Sequence, residues 1–199
     1  MFTRSRFFTK FACSCAAVAF ASIVPLGVPA QDLHSHNPSG QAEESAAEDP
    51  NAQTLLQVVR QATERFKDVA VAQAAGYVLQ FGCVAGDDSG AMGLHYINAD
   101  LLNSGVLDPT RPQIVIYEPM PGGGLQLIGA DFLVFADAWN ASHSSPPQLM
   151  GQLFHLFTSP NRFGLPSFYT LHVWAWKKNP NGAFVNWHPN VSCQSFTAL

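Results

Sequence analysis

The strongest constraint on the fold comes from residues 168–176, where side chains of both parities are apolar. Successive side chains of an extended strand point to opposite faces, so Phe168 and Trp174 share one face while Leu171 and Val173 share the other. A strand that is apolar on both faces is typical of the centre of a sheet that is covered on both sides. We therefore expect a sheet with material packed against each face.

A turn follows this strand at residues 179–182, Asn-Pro-Asn-Gly. Proline fixes φ for a turn, and glycine tolerates the positive φ that many turns require. We expect residues 184–187 to return as a second, shorter strand, which Pro189 ends.

Earlier segments also have the alternation and the Gly- or Pro-rich boundaries of strands. We expect strands over residues 77–83, 92–97, 113–118 and 125–136, the last with a bulge near Gly129 and Ala130. Residues 147–157, PQLMGQLFHLF, differ because their apolar side chains recur at helical spacing. This pattern predicts a short amphipathic helix.

The first folded element is predicted to be a helix over residues 50–75, with a break near Asp68 that would make it a helix pair. Its apolar stripe includes Leu55, Val59 and Phe66, at three- and four-residue steps. Residues 51–199 are thus expected to form a single α+β domain. It would contain an N-terminal helix, or helix pair, packed on a mainly antiparallel sheet of five or six strands.

Residues 1–30 have the pattern of a secretory signal peptide, with basic residues followed by an apolar run and with small residues, Val28 and Ala30, at the two positions that a signal peptidase reads. The alternative is an uncleaved membrane anchor, because the apolar run is near the lower limit for a span. Residues 31–50 are polar and predicted to be a disordered leader. Cleavage near Ala30 would leave no stable membrane span, and we expect a periplasmic or secreted bacterial protein.

The charge balance excludes some classes of partner. Cleavage would remove three of the ten basic residues and none of the fourteen acidic ones, which leaves a net charge of −7 with histidine neutral. That balance argues against binding to nucleic acid or to anionic membranes.

Two cysteines, Cys83 and Cys193, would remain after cleavage. Two cysteines in an exported chain usually pair, so we expect a disulfide between them that holds the C-terminal tail to the sheet. A catalytic thiol is the less favoured alternative, because no CxxC motif remains.

Several segments resemble a group of small exported bacterial proteins of uncharacterised function. The resemblance covers most of the chain from about Gln61 onward, and its most specific part is LHVWAWKKNPNGAFVNWHPNVSC over residues 171–193. Other shared segments are GAMGLHY, VIYEP and LQLIGAD. The resemblance implies a bacterial, extracytoplasmic setting and no particular activity. Similar proteins tend to carry Asn at the position of His188, which argues against an essential role for that residue.

Two histidines on predicted interior strands, His95 and His172, are the candidate metal ligands. Imidazole and carboxylate groups that converge on one point can bind zinc, copper or iron. Glu118 is a candidate third donor or general base, while Tyr96 and His188 are weaker candidate ligands. No HExxH motif is present, so the alternative is that both histidines are buried and simply hydrogen-bonded.

An aromatic set could line an apolar pocket for a small ligand. Its members are Tyr96, Phe168, Trp174, Trp176 and Trp187. Two functions therefore remain open. The favoured one is a non-enzymatic extracytoplasmic binding or structural module with an apolar, aromatic-lined cavity. The alternative is a metal-dependent enzyme, a hydrolase or an oxygen-handling protein, centred on His95 and His172. Convergence of the two imidazoles and Glu118 in an open cleft would favour the enzyme.

Overall fold

A computed structural model describes residues 50–197. The predicted signal peptide and nearly all of the predicted leader lie outside these residues. The four helices within the described range are α1 (Pro50–Thr63), α2 (Val69–Ala74), α3 (Ala99–Ser104) and α4 (Ala136–Asn140). The eight strands there are β1 (Tyr77–Ala85), β2 (Ala91–Asn98), β3 (Ile114–Pro119), β4 (Leu125–Phe135), β5 (Gln148–Leu149), β6 (Gln152–Leu153), β7 (His155–Phe157) and β8 (Phe168–Val173).

The main sheet has six strands in the order β1-β2-β3-β4-β8-β7, and each neighbouring pair is antiparallel. β8 lies between β4 and β7 and is buried along its whole length, as its apolar pattern predicts. The α+β class and the mainly antiparallel sheet are therefore confirmed.

The N-terminal helical region is broken near Asp68, as predicted. A 3-10 turn, Glu64–Lys67, follows α1, and the Asp68 side chain then accepts a hydrogen bond from the Ala70 amide to cap α2. The capped break turns the chain so that both helices reach the same face of the sheet.

The two faces of the sheet have different coverings. One face, which we call the helix face, packs Leu55 and Val59 of α1 against Phe132 and Leu171. The opposite face, which we call the cavity face, carries Ile114, Leu133 and Phe168 beneath loops and the C-terminal segment. Because side chains alternate along a strand, each strand contributes to both faces.

Residues 147–157 are strands, so the predicted helix is wrong. Met150 and Gly151 have φ of 48° and 83°, and they form the turn of the small β5–β6 hairpin. Two consecutive residues in the left-handed region are typical of tight hairpin turns and incompatible with a helix. The apolar spacing that suggested a helix comes from three short strands in succession.

The predicted return strand at residues 184–187 is also wrong. This segment is held by single contacts: the Trp174 indole donates to the Val185 carbonyl at 2.6 Å. One isolated bridge joins His188 to Ala91. These contacts fix the backbone of the segment to β2 and to the buried Trp174 indole, but the segment does not pair with a neighbour as a strand.

The predicted disulfide between Cys83 and Cys193 is present, with Cα atoms 5.7 Å apart. It joins β1 to the C-terminal segment, and the bond is compatible with an extracytoplasmic location. Within residues 50–197, no helix is both long and apolar enough to cross a membrane.

Candidate metal centre

Three buried side chains from three strands meet on the cavity face. His95 of β2, Asp131 of β4 and His172 of β8 each offer a ligand atom, and these atoms all lie within 4.8 Å of one another. The strand register produces this meeting, because Asp131 lies directly opposite His172 in the β4–β8 pair. His95 lies opposite Ile116, and Ile116 lies opposite Gly129 in β4, two residues from Asp131.

The distances within this group suit a shared ion. The Nε2 atoms of His95 and His172 are 3.4 Å apart, and His172 Nε2 is 3.8 Å from Asp131 Oδ2. Two imidazoles bound to one tetrahedral zinc ion have nitrogens about 3.3 Å apart, from Zn–N bonds of about 2.0–2.1 Å. The imidazole pair thus has the separation that a common ion requires.

Gly93 sets the orientation of the His95 ring. Its carbonyl oxygen accepts a hydrogen bond from His95 Nδ1 at 3.2 Å. Gly93 has a φ of 94°, and a Cβ at this position would lie 2.6 Å from the Tyr117 carbonyl oxygen. Only glycine fits both the conformation and the space. Because a carbonyl can only accept, the His95 proton is on Nδ1, and the lone pair of Nε2 faces Asp131 and His172.

Thr170 holds the carboxylate in place. Its hydroxyl donates to Asp131 Oδ1 at 2.6 Å, and Oδ2 is left on the side of His172. The backbone amides of Phe132 and Leu171 also lie close enough to this carboxyl to favour its charged form and lower its pKa. Such supporting bonds fix the direction of a metal ligand.

His172 has one nitrogen without a hydrogen-bond partner. Within the described residues, His172 Nδ1 and Asn186 Oδ1 are the buried side-chain atoms that lack one. The two do not meet hydrogen-bond geometry, but the Asn186 side chain is close enough to raise the pKa of the ring. A proton on Nδ1 would let His172 donate to Asn186 Oδ1 and would leave Nε2 free as a ligand.

Burial controls the protonation of all three groups. It lowers the pKa of His95 to about 4 and that of His172 to about 3, because a charged imidazolium is poorly solvated there. It raises the pKa of Asp131 to about 6, against the hydrogen bonds that the carboxylate accepts. At neutral pH the group therefore consists of two neutral imidazoles and one carboxylate, the forms that bind metal ions.

The candidate metal ligands His95, Asp131 and His172 line a cavity of about 370 Å³. Apart from Gln80, Thr170 and the three candidate ligands, the side chains that line it are apolar. Its walls include Phe81, Ile97, Leu133, Phe135, Phe163 and Phe168.

Of the predicted ligands, the structure brings His95 and His172 together and places the others elsewhere. Glu118 pairs with Lys177, whose Nζ is 2.5 Å from Oε2, and accepts from the Ser192 amide at 3.1 Å. It lies four residues along β3 from Ile114, the partner of Asp131, a separation of about 13 Å at the usual rise of a strand.

Tyr96 and His188 are likewise outside the group. Tyr96 points to the helix face, where its ring contacts Tyr117. His188 is fully buried, but both of its nitrogens are occupied. Nε2 donates to the Lys178 carbonyl and Nδ1 accepts from the Asn190 amide. Neither residue faces the cavity.

The predicted aromatic pocket is correct for one of its five members, because Phe168 lines the cavity. Trp174 lies behind His172 and contacts His188. Trp176 is on the helix face, where its indole donates to Thr63. Trp187 packs near Gly86, and Tyr96 lies on the helix face, as described above. Phe81, Phe135, Phe157 and Phe163 complete the aromatic wall together with Phe168.

Sequence reasoning missed Asp131, although a signal existed. Asp131 is the only charged residue in β4, an eleven-residue strand that is otherwise apolar except for Gln126, and it is 3% exposed. A charge at the centre of such a strand needs a partner or a function. His155 was also missed, because residues 147–157 were predicted to be helical. It lies opposite Thr170 on the edge strand β7, exposed, and lowers the pKa of His172.

Comparisons with protein-family models, with curated proteins and with solved structures found no match for this chain.

Proposed function

We propose that this protein is an extracytoplasmic metal-dependent enzyme with a mononuclear centre, in which His95, Asp131 and His172 bind one divalent ion. The observation that carries the proposal is the convergence of these three buried donors in the lining of a cavity. A buried carboxylate beside two neutral imidazoles is costly unless a cation compensates it, so a metal ion explains the arrangement.

The donor set supports two reaction classes. Two histidines and one carboxylate bind catalytic zinc in several hydrolases, and the same set with open positions binds iron(II) in oxygen-handling enzymes. Among the side chains that line the cavity, Gln80 and Thr170 are the polar ones besides the ligands, and Thr170 is committed to Asp131. Within the described part of the chain, the lining thus offers no second acid–base group for hydrolysis, and we place iron(II) and oxygen chemistry first.

A second candidate is the non-enzymatic binding of a small apolar ligand. The apolar lining of the cavity favours it, and it would need no metal. The two candidates differ in one measurable property, which is stoichiometric metal binding that depends on the three ligands.

The test begins with elemental analysis of protein purified without chelator, followed by titration of chelator-treated protein with zinc, iron(II) and copper(II). We expect one ion per chain in the parent protein. His95→Ala and the isosteric Asp131→Asn should lose it while remaining folded by circular dichroism. His143→Ala changes an exposed histidine outside the group and serves as the matched control.

The ion found in the purified protein separates the two reaction classes, since zinc favours hydrolysis and iron favours oxygen chemistry. Nitric oxide then tests for open coordination positions, because it binds iron(II) where dioxygen would bind. A nitrosyl spectrum on the iron(II)-loaded protein would support open coordination positions. Parent protein that binds none of the three ions with affinity above that of Asp131→Asn would overturn the proposal and leave the ligand-binding module.

A further inference from the structure

The open side of the metal-binding group and the apolar cavity are the same space. His95, Asp131 and His172 all line the cavity, so any molecule that reaches the bound ion must occupy it. The following inference rests on the proposed metal centre and concerns the chemical class of the ligand.

The charge of the loaded centre selects the head of that ligand. A divalent ion with one carboxylate and two neutral imidazoles carries a net charge of +1. Among residues 50–197, no Lys or Arg side chain lines the cavity, and Asp131 is the only acidic residue that does. An uncompensated charge is costly in a buried site, so a monoanionic donor is favoured and a cationic one is opposed.

The walls select the body of the ligand. The Phe157 and Phe168 rings are stacked with centroids 5.2 Å apart, and the Phe163 ring lies 6.3 Å and 6.1 Å from them. Phe81 continues this surface to the rim, 5.6 Å from Phe163. An apolar chain or ring that covers these side chains removes their surface from water.

The rim itself is apolar and accessible. Val78 and Phe81 of β1 both line the cavity and remain 58% and 48% exposed. A body longer than the cavity could therefore extend along β1 toward solvent. Apolar side chains thus extend from the candidate ligands to the surface, with Gln80 and Thr170 as the polar members of the lining.

We propose that the ligand is an amphiphile with a single carboxylate, or a similar monoanionic oxygen donor, on an apolar chain or ring. Its head binds the ion held by His95, Asp131 and His172, and its body lies against the Phe163 and Phe168 wall. Without the ion, the Asp131 carboxylate faces the head and repels it, so binding requires metal.

The test uses Co²⁺-loaded protein, because the visible spectrum of Co²⁺ reports a change of ligand at the ion. Butanoate, hexanoate and octanoate are titrated, with octanol and octylamine as neutral and cationic counterparts. We expect the affinity to rise by about fourfold for each added methylene, the usual gain from burying one. Octanoate should change the Co²⁺ spectrum, while octanol and octylamine should bind more weakly.

Two adjacent leucines provide matched variants. Leu102 lines the cavity, whereas Leu101 packs against the cluster on the helix face, and both are half-buried. Leu102→Trp should weaken octanoate at least tenfold, and Leu101→Trp should leave it unchanged. Both variants should bind Co²⁺ like the parent.

Three results would overturn this inference while leaving the metal centre intact. They are an affinity that does not depend on chain length, octanol that binds as tightly as octanoate, and octanoate that binds equally to metal-free protein. A protein that fails to bind Co²⁺ at all would instead refute the proposed function on which the inference rests.

Discussion

The Nε2 atoms of His95 and His172 lie 3.4 Å apart in the lining of an apolar cavity. His95 keeps its own proton on Nδ1, where the Gly93 carbonyl accepts it. If the His172 proton were on Nε2, it could be donated to His95 Nε2. His172 Nδ1 would then be a buried acceptor, and no group among residues 50–197 donates to it. A cation bound by both Nε2 atoms removes this conflict and also compensates Asp131.

Metal binding should therefore stabilise the protein against unfolding. At a free metal concentration about 100 times the dissociation constant, the free energy of unfolding should rise by about 2.7 kcal/mol, because the ion binds the folded state. Thermal melts with and without chelator measure this. In Asp131→Asn the two melts should coincide, and a parent protein with coincident melts would contradict the prediction.

Thr170 is expected to act as a positioning residue for Asp131. Thr170→Val removes the 2.6 Å hydrogen bond to Oδ1 and leaves the carboxylate free to turn. We expect metal affinity to fall by about 10- to 100-fold, as is typical when a supporting group of a metal ligand is lost. Competition with a chelator of known affinity gives the value.

Thr63→Val is the comparison for Thr170→Val. Thr63 is also fully buried, but its hydroxyl bonds to Val59 and Trp176 on the helix face. Both variants should lose stability, whereas only Thr170→Val should lose metal affinity. Equal metal affinities in the two variants would mean that the Thr170 hydroxyl is purely structural.

Asp131 should make the stability of the metal-free protein depend on pH. Its pKa is about 6 in the folded state and about 3.8 unfolded, so folding takes up a proton between these values. Stability contributed by the protonated group is present at low pH and lost as the pH rises toward 6. Relative to Asp131→Asn, the parent should thus lose about 1–3 kcal/mol between pH 4 and 7.

Urea unfolding of both chelator-treated proteins across that pH range provides the measurement for Asp131. The difference between parent and variant reports Asp131 together with its coupling to His95, because both histidines remain in both proteins. A difference that stays constant with pH, or that grows in favour of the parent, would show that the carboxylate is not desolvated as the structure implies.

Much of the fold could be predicted, because local patterns determine it. The apolar faces of β8 and the capping side chain of Asp68 are local features, and both elements formed as expected. The helix predicted over residues 147–157 is wrong because two residues with left-handed backbone, Met150 and Gly151, interrupt a spacing that is otherwise typical of a helix. Met150 gives no local warning, since left-handed backbone is uncommon for its residue type.

The site was only half predictable, because its third member depends on strand register. His95 and His172 stand out as histidines on apolar strands, but which carboxylate joins them depends on the pairing of β4 with β8. Glu118 and Asp131 are equally plausible from composition. The strand order, which cannot be read from the sequence, places Asp131 beside His172 and Glu118 beside Lys177.

The disulfide is expected to stabilise the fold without shaping the metal centre. Cys83 and Cys193 are separated by 110 residues, and loss of such a link typically costs about 2–5 kcal/mol. The paired Cys83→Ser/Cys193→Ser variant should lose that much in urea unfolding. Its metal affinity should stay within about twofold of the parent, because β2, β4 and β8 carry the ligands and the bond joins β1 to the tail. A large loss of affinity would mean that the tail helps to position the ligands.

Glu118 is expected to support structure and not chemistry. Glu118→Gln keeps the acceptor for the Ser192 amide but removes the charge that pairs with Lys177. Because the Lys177 side chain is 26% exposed, water can partly replace the lost Glu118 charge as a partner for its ammonium group. The loss of stability should therefore be about 1–3 kcal/mol. A double-mutant cycle with Lys177→Met measures the pair itself. Metal affinity and octanoate binding should both match those of the parent. A loss of either would contradict the prediction and show that Glu118 contributes to the site.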